Sequence, residues 1–175
     1  MNDIVQRIEK YKTDRRHGAS QLLDVALEIL MDAARELPAE HGKTIIARLD
    51  GLAAQMADAR PGMANIDNVM SWYRKSLTFL DLSADKETVR EKALERAGRL
   101  RRYCLEASRL LIANAVRSIV DCSAIMTCSF SSTVLRILKE AYRTGARFSV
   151  LVLESCWRDC CYGAFMNREL KESGI

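Results

Sequence analysis

Residues 121–153 read DCSAIMTCSFSSTVLRILKEAYRTGARFSVLVL, and the succession of patterns within them decides the fold. Ala124, Ile125 and Met126 form the end of a short apolar strand, and residues 127–132 (TCSFSS) make a polar corner. The spacing that follows predicts an amphipathic helix from about Ser132 to Arg143, with Gly145 as its stop. Phe148 to Leu153 is then a second β-rich run, and the unbroken apolarity of VLVL predicts a strand buried on both faces, as in a parallel sheet. In such sheets ligands bind where strands end and helices begin, so the corner is either a ligand site or a set of hydroxyls capping a helix.

Upstream the period is helical throughout. Ile4, Val5, Ile8 and Tyr11 mark a first helix, broken by residues 13–18 (TDRRHG). Ser20 opens a second, with Leu22, Leu23, Ala26, Leu27, Leu30 and Ala34 in one stripe. Pro38 suits the first turn of a third, which runs through Ile45, Leu49, Ala53 and Met56 to Arg60-Pro61-Gly62. A fourth carries Ile66, Val69, Met70, Tyr73 and Leu77. Ser83 or Asp85 is the expected N-cap of a long fifth helix that places Val89, Ala93, Ala97, Leu100, Cys104, Ala107 and Leu111 on one face. A last helix is expected from roughly Tyr162 to Lys171. The order is therefore five helices followed by β-α-β-α. Two parallel strands cannot cover both faces and edges of a sheet, so a continuation of the chain or a partner is expected to supply the missing layer.

The 175 residues are 49% hydrophobic and 29% charged, enough for a packed core. The net charge of +4 is too small to hold nucleic acid, and the arginines between Arg96 and Arg102 alternate with Glu91, Glu95 and Glu106 as a paired, solvated face without interleaved aromatics. Nucleic acid is therefore not indicated as a partner. No apolar run approaches a membrane span or resembles a signal peptide, so a cytoplasmic location without membrane contact is expected. The six cysteines form no C-x-x-C pair, and His17 and His41 lie far from them, so no metal is expected; the corner lacks the glycines of a dinucleotide or P-loop fingerprint, and no cofactor is expected. Most cysteines, including Cys156, Cys160 and Cys161, are read as reduced packing residues.

Three stretches, DRRHGAS, ARPGMANI and the strand–helix–strand unit through Glu154-Ser155, together resemble the superfamily of initiation factor 2B α, β and δ subunits. Its relatives are the ribose-1,5-bisphosphate and methylthioribose-1-phosphate isomerases. The resemblance implies an α/β chain: an all-helical N-terminal domain over residues 1–120, then an incomplete Rossmann-like β-α-β-α unit with parallel strands over residues 121–175, truncated or split. The isomerases use the cysteine of a T-H-C-x-S corner and a later aspartate. Here that cysteine position is Ser129, and Cys128 stands in the histidine position. The family's E-S/T-R-P motif appears as Glu154-Ser155-Cys156-Trp157, without the arginine.

These departures imply a non-catalytic member that binds a sugar phosphate or nucleotide. It is expected to form homo-oligomers or to pair with a second subunit supplying the missing half, with a link to translation initiation resting on the resemblance. The alternative is an aldose–ketose sugar-phosphate isomerase in which Cys128 replaces the usual thiol. The implied ligand-binding residues are Arg16, Gly18, Ala19, Ser20, Arg60, Thr127, Ser129 and Ser131, expected around one cleft. Simple alternatives stay open: helix capping for the corner, a solvated basic pair for Arg15 and Arg16, and a helix-dipole charge for Arg60. Since neighbouring side chains on a strand point to opposite sides, Cys128 is expected to face the core.

Overall fold

The computed structural model describes residues 2–175 as two compact units, one ending at Cys104 and one spanning Leu105–Ile175. The first unit is helical. It comprises α1 (Asn2–Thr13), α2 (Ala19–Glu36), α3 (Gly42–Asp58), α4 (Ala64–Leu77) and the first part of α5 (Lys86–Ile119). α2 lies at its centre: Leu27, Ile29, Leu30, Ala33 and Ala34 are all fully buried, among Ile45, Leu49, Met56, Ile66 and Met70 from α3 and α4. Val89, Ala93 and Ala97 bring α5 into the same core.

The helix ends follow local chemistry, with corrections to the expected starts. The N-cap of α2 is Gly18 rather than Ser20, and its N–H donates to Gln21 Oε1 at 3.1 Å. The third helix begins at Gly42, four residues after Pro38. Leu37 is extended (ψ 122°), as a residue before proline prefers, and the chain reaches the helix only after the loop that follows. Gly42 is needed there because a Cβ would lie 2.7 Å from Val89 Cγ2 and 2.8 Å from the Ala84 carbonyl oxygen. Of the two candidate caps for α5, Asp85 serves: it accepts from the N–H groups of Glu87 (3.0 Å) and Thr88 (2.9 Å).

The second unit contains the expected strand–helix–strand: β1 (Ala124–Cys128), α6 (Ser132–Arg143) and β2 (Ser149–Leu153), followed by α7 (Tyr162–Lys171). β1 and β2 are parallel, with Ile125 opposite Val150 and Cys128 opposite Leu153. Ile125, Val150 and Val152 pack on Leu135 and Leu138 of α6 and Met166 and Leu170 of α7. The expectation that VLVL is buried on both faces fails. Leu151 is 57% exposed, Leu153 45% and Met126 67%, because the packing helices meet the other face of the pair.

Between β2 and α7 lies a feature absent from the sequence reading. β3 (Cys156–Trp157) and β4 (Cys160–Cys161) form a small antiparallel hairpin, and a disulfide joins Cys156 to Cys161. These two cysteines are therefore neither reduced nor core residues. No helix among the described residues is long and apolar enough to cross a membrane.

Candidate functional site

The carboxyl ends of β1 and β2 build the corner. Just past β1, Ser129 has φ 59°; just past β2, Ser155 has φ 48°. The Ser129 N–H donates to Ser155 Oγ at 2.8 Å, so the two strand ends are joined by a side chain as well as by the ladder. With Arg158 at the hairpin tip (φ 51°), they are the positive-φ non-glycine residues among those described. Left-handed backbone in residues with a Cβ is costly and persists where the surroundings impose it.

The surroundings here are specific. Gly163, in the first turn of α7, donates its N–H to the Glu154 carbonyl at 2.8 Å, and Tyr162 donates to the Ser155 carbonyl at 3.3 Å. A Cβ on Gly163 would lie 2.0 Å from the Leu153 carbonyl oxygen, so the start of α7 sits directly against the end of β2. Ser131 is the N-cap of α6, its Oγ accepting from the Val134 N–H at 3.3 Å. That hydroxyl both caps the helix and keeps a proton to donate outward. Thr127 lies on the helix-packed side of β1 with intermediate exposure, and Ser132 is buried.

Cys128 is exposed, contrary to the inward direction expected of it. It shares the open face of β1 with Ala124 and Met126, while Ile125 packs toward the helices. Alternation put Cys128 and Ser129 on opposite sides, but which side met the helices depended on tertiary packing.

The expected residues of the first unit lie near the end of α1. The Asp14 carboxylate accepts from the N–H groups of Arg16 (2.8 Å) and His17 (2.9 Å), and His17 Nδ1 lies 2.6 Å from its other oxygen. Desolvation opposes ionisation of Asp14, but the His17 and Arg16 hydrogen bonds together outweigh it and hold the carboxyl below its usual range. The Arg16 side chain is exposed, Gly18 is buried, and Ala19 and Ser20 are intermediate. Arg60 is turned inward: its guanidinium donates to the Tyr11 carbonyl and lies 5.2 Å from the centre of the Tyr11 ring. Its Nε is buried without a partner among the described residues. Tyr11 donates to the Met56 carbonyl at 2.9 Å, and burial pushes its phenol up to about 12. Arg60 thus complements the dipole of α1 rather than of its own helix.

Two arginines of α5 have partners on and just past α2 that the sequence does not assign, Arg90 unremarked and Arg101 expected on a solvated face paired within α5. Arg90 donates to the carbonyls of Ala34, Arg35 and Leu37 at 2.6–3.0 Å, satisfying the C-terminus of α2. Arg101 reaches Asp24 (2.6 and 2.9 Å) and Glu28 (2.7 Å) on α2 rather than a glutamate of its own helix. No signal in the sequence marks either, since both pairings are tertiary. The expected pairing within α5 does occur between Arg99 and Glu95, at 2.6 Å. No group of three or more His, Cys, Asp or Glu among the described residues is placed to hold a metal.

Residues 15–175 match the initiation factor 2 subunit (IF-2B) family. The chain is 29% identical over 172 residues to an eIF-2B subunit 2-like translation initiation factor of Pyrococcus horikoshii, covering 98% of this chain and 56% of that protein. A Pyrococcus abyssi counterpart is 28% identical over the same span. The chain thus spans about half the length of these curated relatives. The crystal structure of translation initiation factor eIF-2B from P. horikoshii superimposes with a TM-score of 0.75 at 27% identity, over 100% of this chain and 58% of that one. The tetrameric eIF2B-β2-δ2 complex of Chaetomium thermophilum shares the fold, with a TM-score of 0.76 at 17% identity over 98% of this chain and 56% of that one. The strand–corner–helix–strand unit and the helices before it are those of one superfamily, and the chain belongs to the initiation factor 2 subunit family.

Proposed function

We propose that the chain acts as a non-catalytic, initiation-factor-2B-type protein of the cytoplasm. In this reading it binds a phosphate-bearing sugar or nucleotide at the strand-end corner and assembles with another polypeptide, a second copy or a different subunit. The observation that carries the assembly is the open sheet face, where Met126, Leu151 and Leu153 present apolar side chains to solvent. The complex formed by the C. thermophilum β and δ proteins supports it. A role in translation initiation follows the names of the archaeal relatives.

Two features support a ligand corner without catalysis. The α6 N-terminus and the Ser131 hydroxyl offer donors and a favourable dipole to an anion. At the family's cysteine position stands Ser129, whose hydroxyl cannot ionise near neutral pH as a thiol can. The experiment is a titration of ribose phosphates and nucleotides read by thermal shift and calorimetry, beside an assay for isomerisation of ribose-1,5-bisphosphate and methylthioribose-1-phosphate. A ligand at a hundred times its Kd stabilises the folded state by about 2.7 kcal/mol. Saturable binding of a phosphate compound, weakened by Ser131→Ala, together with no turnover, is the expected outcome. An Arg16→Ala variant in the same titration checks the role expected for the Asp14–Gly18 loop.

One observation favours the isomerase reading instead. Cys128 is exposed at the same corner, so its thiol is accessible to a substrate. Turnover that Cys128→Ala abolishes and Ser129→Ala leaves intact would establish that reading and exclude the first.

A further inference from the structure

We propose that Cys156–Cys161 is a redox-active disulfide, opened by a dithiol reductant, whose closed form holds the two strand ends of the corner in place. The disulfide spans a sequence separation of 5 and closes a hairpin with two residues in each strand. So short a ladder does not hold itself together in water. The cross-link closes the open end of the ladder, where the chain enters and leaves the hairpin: Cys156 directly follows Ser155, and Cys161 is the N-cap of α7. Ser155 is the residue whose hydroxyl takes the Ser129 N–H, and Tyr162 and Gly163 of α7 donate to the carbonyls of Ser155 and Glu154. Ser129 and Ser155, both with positive φ, are joined in this one network. Opening the cross-link removes a constraint from residues that adopt their conformation only under constraint.

Both bonded cysteines are exposed, which gives a reductant access to either sulfur. Exposed disulfides are the labile class, in contrast to the buried, structural kind. The step is thiol–disulfide exchange. A thiolate of the reductant attacks one sulfur, forming a mixed disulfide, and the other sulfur leaves as a thiolate that takes up a proton. The reductant's second thiol then attacks its own bound sulfur, releasing the second protein thiol. Two electrons and two protons pass to the protein, and the dithiol becomes a cyclic disulfide. Glutathione disulfide closes the bond again by the same kind of exchange, taking up the two electrons and two protons and leaving as two molecules of glutathione. Cys160, of intermediate exposure, stays free in both states.

The test uses the full 175-residue chain, equilibrated either with glutathione disulfide or with dithiothreitol. Denatured thiol counts are expected to give four free thiols in the first state (Cys104, Cys122, Cys128 and Cys160) and six in the second. Amide hydrogen exchange at Ser129, Tyr162 and Gly163 is expected to speed up about tenfold on reduction, while amides of the α2 core, such as Leu27, are unchanged. Cys156→Ser is expected to exchange as the reduced form does in both buffers, and Cys160→Ser as the wild type. Six free thiols after glutathione disulfide, identical exchange in the two redox states, or loss of the disulfide in Cys160→Ser but not in Cys161→Ser would each overturn the proposal. The wild-type comparison decides the question even if a serine variant fails to fold, and it does not depend on any ligand.

Discussion

Gly51 and Gly163 both lie in helices, where replacing glycine with alanine gains roughly 0.5–1 kcal/mol from backbone entropy alone. Their surroundings separate them. A Cβ at Gly51 meets nothing within 4 Å, so Gly51→Ala is expected to raise stability by about that amount. At Gly163 the new carbon would lie 2.0 Å from the Leu153 carbonyl oxygen and 2.7 Å from that of Glu154, and backbone cannot rotate away. Overpacking of this kind costs about 1–3 kcal/mol, more than the propensity gain, so Gly163→Ala is expected to be destabilising. Urea midpoints at unchanged slope check both signs, and a stabilised Gly163→Ala would remove the close seat of α7 on the end of β2. Neither glycine was singled out by its sequence context. The same limit applied to Cys128 and Ser129, where period-two alternation assigned opposite sides but could not tell which side the helices cover.

The elements were legible where burial imposes a period. The stripes of α2 and α4 and the switch to short apolar runs after Val120 gave the order of helices and strands, and the parallel pairing followed from the intervening helix. Two kinds of feature were not legible: the tight hairpin closed by Cys156 and Cys161, whose strands are only two residues each and show no period, and the side chains that bind helix to helix across long sequence separations. Arg90 is one of these. With 16% of its side chain exposed, it serves three carbonyls at the end of α2, and a single hydrogen bond from a charged donor is worth about 1.5–3 kcal/mol where water does not replace it. Arg90→Ala is expected to cost about 2 kcal/mol in denaturant unfolding, and Arg90→Lys to recover only part of it, since an ammonium lacks the planar fork. Along α2, Asp24, Glu28 and Asp32 recur at intervals of four and meet Arg101, Arg7 and Arg35. The Arg7 hydrogen bond first, aided by the Arg7 charge and by Arg35, outweighs desolvation and holds the Asp32 carboxyl below its usual range. A depressed carboxylate contributes stability above its unfolded pKa of about 4 and loses it as pH falls through the lower folded value. Melting temperature is therefore expected to drop on that acid limb, and less steeply in Asp32→Asn; parallel curves for the two proteins would count against the assignment.

At the scale of the whole molecule the two units differ in how they treat apolar surface. In the first, a contiguous core draws on all five helices. In the second, four buried hydrophobic side chains, Leu135, Leu138, Met166 and Leu170, centre the core, and much of the remaining apolar surface faces solvent. On the sheet these exposed groups are Met126, Leu151 and Leu153, and on α5 they include Leu105, Leu110 and Leu111, each about half exposed. Burying one such side chain yields roughly 1.5–3 kcal/mol, so a surface presenting several of them gains more from association than from hydration. The strands add unpaired backbone donors and acceptors along the outer edges of β1 and β2, since each has one neighbour among the described residues. The purified chain is accordingly expected to exceed the mass of a single copy in light scattering at micromolar concentration and to bind a hydrophobic dye. A charge on the open face tests the cause: Leu151→Lys, at a position already 57% exposed, leaves the α6–α7 packing untouched and is expected to weaken association at least about tenfold without lowering stability. A wild-type chain that scatters as a monomer and binds no dye would refute the assembly surface. If the wild type self-associates but Leu151→Lys associates equally well, the contact lies elsewhere, and the exposed leucines of α5 become the next surface to charge.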